Sequence, residues 1–230
     1  MNLPNALTVG RIAITPLIAV LPFAPATTPR LLAFVLFVVA GISDYADGVL
    51  ARSRKQETTL GKLLDPLADK LLLVGTFVPM WALMQSATAN FSSSSFTTGD
   101  LTLHSLPFIT LWGDVSLPWW IVVIVLGREL AMTIFRQAAA RRGVVIAAIG
   151  PAKVKTVFQI VWQGGAYLWF AVATAGLIHG WNGGIWRGLG IFIGTAGTLT
   201  MTVAVLLTVY SLWLYVSRYG RVFVQSGARG

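Results

Sequence analysis

The chain of 230 residues is 56% hydrophobic and only 11% charged, with a mean hydropathy of +0.75. These values exclude an ordinary soluble domain, in which roughly a quarter of the residues are charged. The absence of cysteine excludes disulfides and thiolate catalysis. The formal net charge of +9 would suit a nucleic-acid-binding protein, but the basic residues lie in connections between apolar segments, so we expect no nucleic acid partner.

Six apolar stretches are each long enough for the ~20 residues of a membrane-spanning helix. They lie at residues 5–25, 31–51, 62–85, 117–140, 154–178 and 188–216. The sequence therefore predicts an all-α integral membrane protein with six transmembrane helices, in a single domain over residues 1–230. Residues 86–116, rich in serine and threonine, are predicted to form a polar extracytoplasmic loop.

Basic side chains are concentrated in alternate connections. They follow the second predicted helix, surround the connection between the fourth and fifth helices, and recur in a basic tail at residues 217–230. By the positive-inside rule, these segments and both termini face the cytoplasm, where they would also attract anionic lipid headgroups.

Four aspartates, which are costly in a bilayer, lie within residues 44–69. Helical offsets place one set of residues on a single face of the second helix, namely Asp44, Asp47, Gly48, Ala51 and Arg52. The same reasoning places Gly61, Asp65 and Asp69 on one face of the third helix. A short connection predicts that these helices are antiparallel neighbours, so the two acidic faces should meet near the cytoplasmic surface.

Clustered carboxylates repel one another and require protons or a cation. A donor set of oxygens without histidine or cysteine favours Mg²⁺, Mn²⁺ or Ca²⁺. Two such ions beside small residues would clamp a diphosphate, and an adjacent aspartate would accept a proton from an attacking hydroxyl. The alternatives are helix capping, ion pairing with nearby Arg and Lys residues, and an ion-transport pathway, although the clustering at one side argues against transport.

The stretch from Asp44 to Asp69 resembles the signature of the CDP-alcohol phosphatidyltransferase family. That pattern is Asp, two residues, Asp-Gly, two residues, Ala-Arg, eight residues, Gly, three residues, Asp, three residues and Asp, and the chain matches it without substitution. The resemblance implies six helices around a cytoplasm-facing polar cavity in the bacterial inner membrane, usually as a homodimer. It also implies that an alcohol attacks a CDP-activated lipid with release of CMP.

The resemblance assigns roles to individual residues. It implies that two Mg²⁺ or Mn²⁺ ions are bound by Asp44, Asp47, Asp65 and Asp69, and that Asp69 is also the catalytic base. The CDP-binding residues that it implies are Asn5, Thr8, Asp44, Gly48, Ala51, Arg52 and Gly61.

Within the family, residues 4 to about 163 resemble the members that join CDP-diacylglycerol to sn-glycerol 3-phosphate. The similarity is carried by the segments "PNALTVGR", "LDPLADK", "GRELAMTIFR" and "AKVKT". A phosphate-bearing acceptor needs nearby cations, and the candidates are Arg11, Lys62, Arg128, Arg136, Lys153 and Lys155. Phosphatidylglycerol or inositol phosphate as acceptor, and a divalent-cation transporter of a different class, remain open as alternatives.

Overall fold

A computed structural model describes residues 3–53, 59–85, 101–142, 150–181 and 183–219 of the chain. The helices among these residues are α1 (Leu3–Val20), α2 (Thr27–Ser53), α3 (Thr59–Leu83), α4 (Trp119–Ala140), α5 (Gly150–His179) and α6 (Gly184–Tyr219). A 3₁₀ turn, Leu21–Phe23, follows α1, and the strands β1 (Phe108–Thr110) and β2 (Gly113–Val115) pair as an antiparallel hairpin.

Each of the six predicted spans coincides with a helix. Among the described residues, five helices are long and apolar enough to cross a membrane, over Asn5–Phe23, Thr27–Ala46, Leu64–Leu83, Gly150–His179 and Gly184–Arg218. The fourth predicted span coincides with α4, which carries Arg128, Glu129 and Arg136 among its apolar residues. The protein is therefore mostly helical with several candidate membrane-spanning helices. That α4 also spans the membrane stays a prediction.

The chain divides into two compact units. The first comprises residues 1–117 and 163–198, and the second comprises residues 118–162 and 199–230. By chain position, α1, α2, α3 and the hairpin belong to the first unit and α4 to the second, whereas α5 and α6 contribute to both.

In the first unit, α1 packs against both α2 and α3. Across the described residues, α1 is the main neighbour that these two helices share. Helices α1 and α3 approach each other closely at Gly75. A Cβ added at this position would lie only 2.9 Å from Cγ2 of Thr15. The missing side chain lets α1 approach α3 closely, and α1 thereby joins the two acidic helices.

Tyr167, in the second half of α5, anchors that helix to the same group. Its buried hydroxyl lies 3.4 Å from the carbonyl oxygen of Ile18 and 3.3 Å from that of Thr76. Its ring stacks on Phe37 of α2 with a centroid separation of 5.7 Å. A single aromatic residue thus contacts α1, α2 and α3 with both its polar and its apolar parts.

The predicted polar loop at residues 86–116 needs correction in its second half, because several residues between 101 and 117 are packed. Leu106, Phe108 and Leu117 are fully buried, and Nε1 of Trp169 donates a hydrogen bond of 2.9 Å to the Pro107 carbonyl. Serine and threonine content concealed this apolar set, which holds the hairpin against the helices. The first half of the predicted loop, residues 86–100, lies outside the described residues.

Strand β1 lies on a glycine face of α6. A Cβ added at Gly194 would be only 1.9 Å from the Ile109 carbonyl oxygen, whereas one added at Gly188 would meet no atom within 4 Å. Because backbone blocks the first position, we expect Gly194→Ala to lower the midpoint of thermal unfolding in detergent by about 5 °C or more. Gly188→Ala is the matched control and should melt with the wild type; equal midpoints for all three proteins would contradict this packing.

Candidate active site

One side of α1 is polar although the helix is apolar overall. Its buried polar residues are Asn5, Thr8, Arg11 and Thr15. Spacings of three and four residues place these side chains toward the neighbouring helices rather than toward lipid. Arg11 therefore points inward and is buried, which avoids exposing a guanidinium to hydrocarbon.

Arg11 links the two acidic helices. Its Nη1 donates hydrogen bonds of 2.5 Å to Oδ1 of Asp44 in α2 and of 3.0 Å to Oδ1 of Asp69 in α3. Since one nitrogen contacts both oxygens, the carboxylates lie within two hydrogen-bond lengths of each other. The prediction that the two acidic faces meet is thus confirmed for Asp44 and Asp69.

The carboxylates are accessible even though the arginine is not. The side chain of Arg11 is 1% exposed, whereas those of Asp44 and Asp69 are 53% and 60% exposed. A buried cation therefore fixes two carboxylates whose remaining oxygen surface is open to a ligand or to an acceptor hydroxyl.

Asp65 extends this carboxylate cluster along α3. It lies one helical turn before Asp69, and its Oδ1 accepts a hydrogen bond of 2.8 Å from Oγ1 of Thr8. Asp69 interacts electrostatically with both Asp44 and Asp65. Among the described side chains, Arg11 thus pairs with two carboxylates, and Asp65 adds a third negative charge beside them.

The donor set of the cluster fits a hard divalent cation. All its ligand atoms are carboxylate oxygens, the type that Mg²⁺ and Mn²⁺ prefer, and its excess negative charge matches such an ion. Among the described side chains, no three Asp, Glu, His or Cys residues converge into a metal site. Asp47, the fourth predicted ligand, lies in α2 three residues after Asp44, and its side chain is outside the described set.

The predicted CDP-binding residues are located on the same three helices. Asn5 and Thr8 are buried on α1, and Gly61 is buried in α3 one turn before Asp65. Gly48, Ala51 and Arg52 belong to α2, and their side chains lie outside the described residues. The helices that carry these residues are as expected, while their roles toward a nucleotide stay predictions.

The second unit holds a separate cluster of charged side chains, the basic cluster, formed by Arg128, Glu129, Arg136 and Lys155. Oε1 of Glu129 accepts hydrogen bonds from Nζ of Lys155 and, at 3.0 Å, from Nη1 of Arg128. Arg128 and Lys155 are both buried. One carboxylate of α4 therefore holds a cation of its own helix beside a cation of α5.

Tyr215 of α6 contacts both arginines of this basic cluster. The guanidinium carbons of Arg128 and Arg136 lie 5.9 and 5.6 Å from the Tyr215 ring centroid, within the range of cation–π attraction. The hydroxyl of Tyr215 accepts a hydrogen bond of 3.2 Å from Nη2 of Arg136. Arg128 and Arg136 therefore lie on the same face of α4.

Other predicted acceptor residues are placed differently. Lys153 is exposed on α5, and Lys62 lies in α3 with its side chain outside the described residues. The sequence reasoning missed Tyr215 and Ser211, whose Oγ accepts a hydrogen bond of 3.0 Å from Nη2 of Arg128. Two polar residues four positions apart in an apolar helix were the available signal.

The charge of the second unit favours anionic ligands. Its sequence contains nine lysines and arginines and a single acid, Glu129. Because a low-dielectric environment strengthens such a field, this unit suits a phosphate-bearing molecule or an anionic lipid headgroup.

Apolar helices that carry inward-facing carboxylates define a polytopic helical membrane protein with a polar site on its helices. The family model for CDP-alcohol phosphatidyltransferase matches residues 1–224, and the chain belongs to this family.

Named relatives agree with this assignment. The chain is 30% identical over 220 residues to a probable phosphatidylglycerophosphate synthase of Mycobacterium tuberculosis, covering 94% of this chain and 81% of the relative. It is 29% identical over 229 residues to a CDP-diacylglycerol--glycerol-3-phosphate 3-phosphatidyltransferase of Bacillus subtilis, covering 94% of each chain. A protein of the same name from Rickettsia bellii is 47% identical over 72 residues, 31% of this chain and 40% of that protein.

Proposed function

We propose that the protein transfers the phosphatidyl group of CDP-diacylglycerol to sn-glycerol 3-phosphate, which yields phosphatidylglycerophosphate and CMP. The observation that carries the proposal is the convergence of Asp44 and Asp69 on Arg11 in a member of the CDP-alcohol phosphatidyltransferase family. The names of relatives aligned over most of the chain support the choice of acceptor.

The chemistry requires a base and an electrostatic clamp. Asp69, accessible on α3, would take the proton from the glycerol hydroxyl. The resulting oxygen nucleophile forms a bond to the lipid-linked phosphorus, and the bond between that phosphorus and the CMP oxygen breaks. CMP leaves with the bonding electrons, so the reaction needs no oxidant or reductant.

Two Mg²⁺ or Mn²⁺ ions are proposed as cofactors, held by Asp44, Asp47, Asp65 and Asp69. When bound, such ions neutralise a diphosphate and stabilise the charge that develops on its leaving oxygen. The cytidine and its phosphates are proposed to lie against Asn5, Thr8, Asp44, Gly48, Ala51, Arg52 and Gly61, of which the small residues leave room for the nucleotide.

The acceptor phosphate is proposed to bind among basic residues. The proposed set is Arg11, Lys62, Arg128, Arg136, Lys153 and Lys155. Arg136 and Lys153 are exposed, so they are suited to contact the phosphate directly, whereas Arg128 and Lys155 are buried and act through their charge.

The membrane arrangement is part of the same proposal. We propose six spans including α4, a cytoplasm-facing cavity, both termini in the cytoplasm, the bacterial inner membrane as location, and a homodimer. The bias of Arg and Lys toward alternate connections supports this orientation. Because the chain lacks cysteine, labelling of single introduced cysteines from either side of the membrane tests it directly.

We expect purified protein in detergent to release CMP from CDP-diacylglycerol only when sn-glycerol 3-phosphate and Mg²⁺ or Mn²⁺ are both present. EDTA should abolish the release, and excess Mg²⁺ should restore it. Parallel reactions with phosphatidylglycerol and inositol phosphate test the other acceptors. Release with one of these alone would contradict the proposed acceptor, and release by none from folded protein, together with Mn²⁺ uptake into proteoliposomes, would favour a transporter.

A further inference from the structure

We infer that Tyr215 is a positioning residue for the acceptor, which holds Arg136 in the orientation that binds the phosphate of glycerol 3-phosphate. This inference rests on the proposed function and concerns a residue of α6 in the basic cluster. Its evidence lies entirely within the second unit, in the contacts of Tyr215 with the basic cluster.

The first argument is the contrast in exposure between the two partners. Tyr215 is fully buried, while Arg136 is exposed and its Nη2 donates a hydrogen bond to the Tyr215 hydroxyl. An exposed arginine loses considerable rotamer freedom when it binds an anion. A rigid hydroxyl that already fixes one nitrogen reduces this loss and leaves the other donors of the guanidinium for the ligand.

The second argument is the placement of two like charges on one ring. Arg128 and Arg136 repel each other, and the negative face of the Tyr215 ring offsets that repulsion. Glu129, the only acid in this unit, is already shared by Arg128 and Lys155. The remaining positive charge at Arg136 suits a dianionic phosphomonoester, which accepts paired hydrogen bonds from a guanidinium.

The third argument is the role of α6 as a common support. Ser211, one turn before Tyr215, accepts a hydrogen bond from Arg128 and donates one of 3.1 Å to the Thr208 carbonyl. The same helix face therefore fixes both arginines of α4. Arg128 is also held by Glu129, whereas the contacts described for Arg136 are those with Tyr215.

The test compares Tyr215→Phe, which removes only the hydroxyl, with Tyr215→Leu, which also removes the ring. Tyr210→Phe is the matched control because Tyr210 is an exposed tyrosine on the same helix, stacked on Trp213. We expect Tyr215→Phe to raise the KM for glycerol 3-phosphate about fivefold, the effect of losing one ordinary hydrogen bond. Tyr215→Leu should raise it more, and kcat and the KM for CDP-diacylglycerol should stay within about twofold for both variants.

Inorganic phosphate provides a second readout that a purely structural role would not change. Its inhibition constant against glycerol 3-phosphate should rise in parallel with the KM in both variants, and calorimetry should show the same weakening without CDP-diacylglycerol. Wild-type KM and phosphate affinity in folded Tyr215→Phe and Tyr215→Leu would overturn the inference and leave the proposed function intact. If the wild type bound neither phosphate nor glycerol 3-phosphate, the proposed function and the inference would both be wrong.

Discussion

Asp69→Asn is expected to reduce turnover by about 10²- to 10⁴-fold, the usual contribution of a positioned general base. The amide keeps the shape of the side chain but cannot accept the proton of the glycerol hydroxyl. The Asp69 side chain is largely exposed, although it contacts the buried Arg11. Its replacement therefore removes one charge-assisted hydrogen bond without creating a cavity. CMP release under saturating substrates is the measurement.

The matched control is Asp114→Asn, since Asp114 is an exposed aspartate of strand β2. It should keep the wild-type rate. Folded Asp69→Asn should still bind CDP-diacylglycerol, as measured by protection against thermal unfolding, so its loss would lie in kcat. A rate within threefold of the wild type would remove Asp69 from the role of base.

The acidic part of the site was predictable because helical periodicity and membrane energetics lead to the same result. Asp65 and Asp69 lie one turn apart, and charged residues in apolar helices face inward. What periodicity could not show was how α2 and α3 are joined. They are linked through Arg11 of α1. Arg11 precedes Asp44 by 33 positions and Asp69 by 58 positions, and pairings over such separations leave no local pattern in the sequence.

The basic cluster was predicted less completely. Arg128 and Arg136 were identifiable because they are eight residues apart in one helix, but nothing local connects them with Tyr215, which lies 79 residues beyond Arg136. Tyr215 is also an amphipathic residue of the kind expected at a membrane interface. Its position under two guanidiniums depends on how α6 packs on α4, which a single sequence does not reveal.

The sequence did not predict the hairpin because the composition of this segment is misleading. Serine and threonine dominate residues 86–105, whereas the segment that packs is short and mixes buried apolar residues with Thr110, also buried. Its stability depends on distant glycines, since Gly194 and Gly197 give β1 its place on α6. Tertiary packing rather than local propensity determines such a strand.

Arg11→Met is expected to lower CMP release by about 10²- to 10³-fold, the loss typical of removing one preorganised electrostatic donor. Methionine fills much of the same volume in the interior but leaves Asp44 and Asp69 without the cation that holds them together. The two carboxylates would then separate toward solvent, so the arrangement of the cluster, rather than its charge alone, would be lost.

Arg11→Lys separates the effect of the positive charge from the effect of the carboxylate arrangement. Lysine keeps the positive charge but lacks the planar fork of donors, so we expect it to recover only part of the lost rate. Arg187→Met, at an exposed arginine of α6, is the control and should retain the wild-type rate. Full activity in Arg11→Lys would show that charge alone suffices, and full activity in Arg11→Met would exclude any role of Arg11 in arranging the carboxylates.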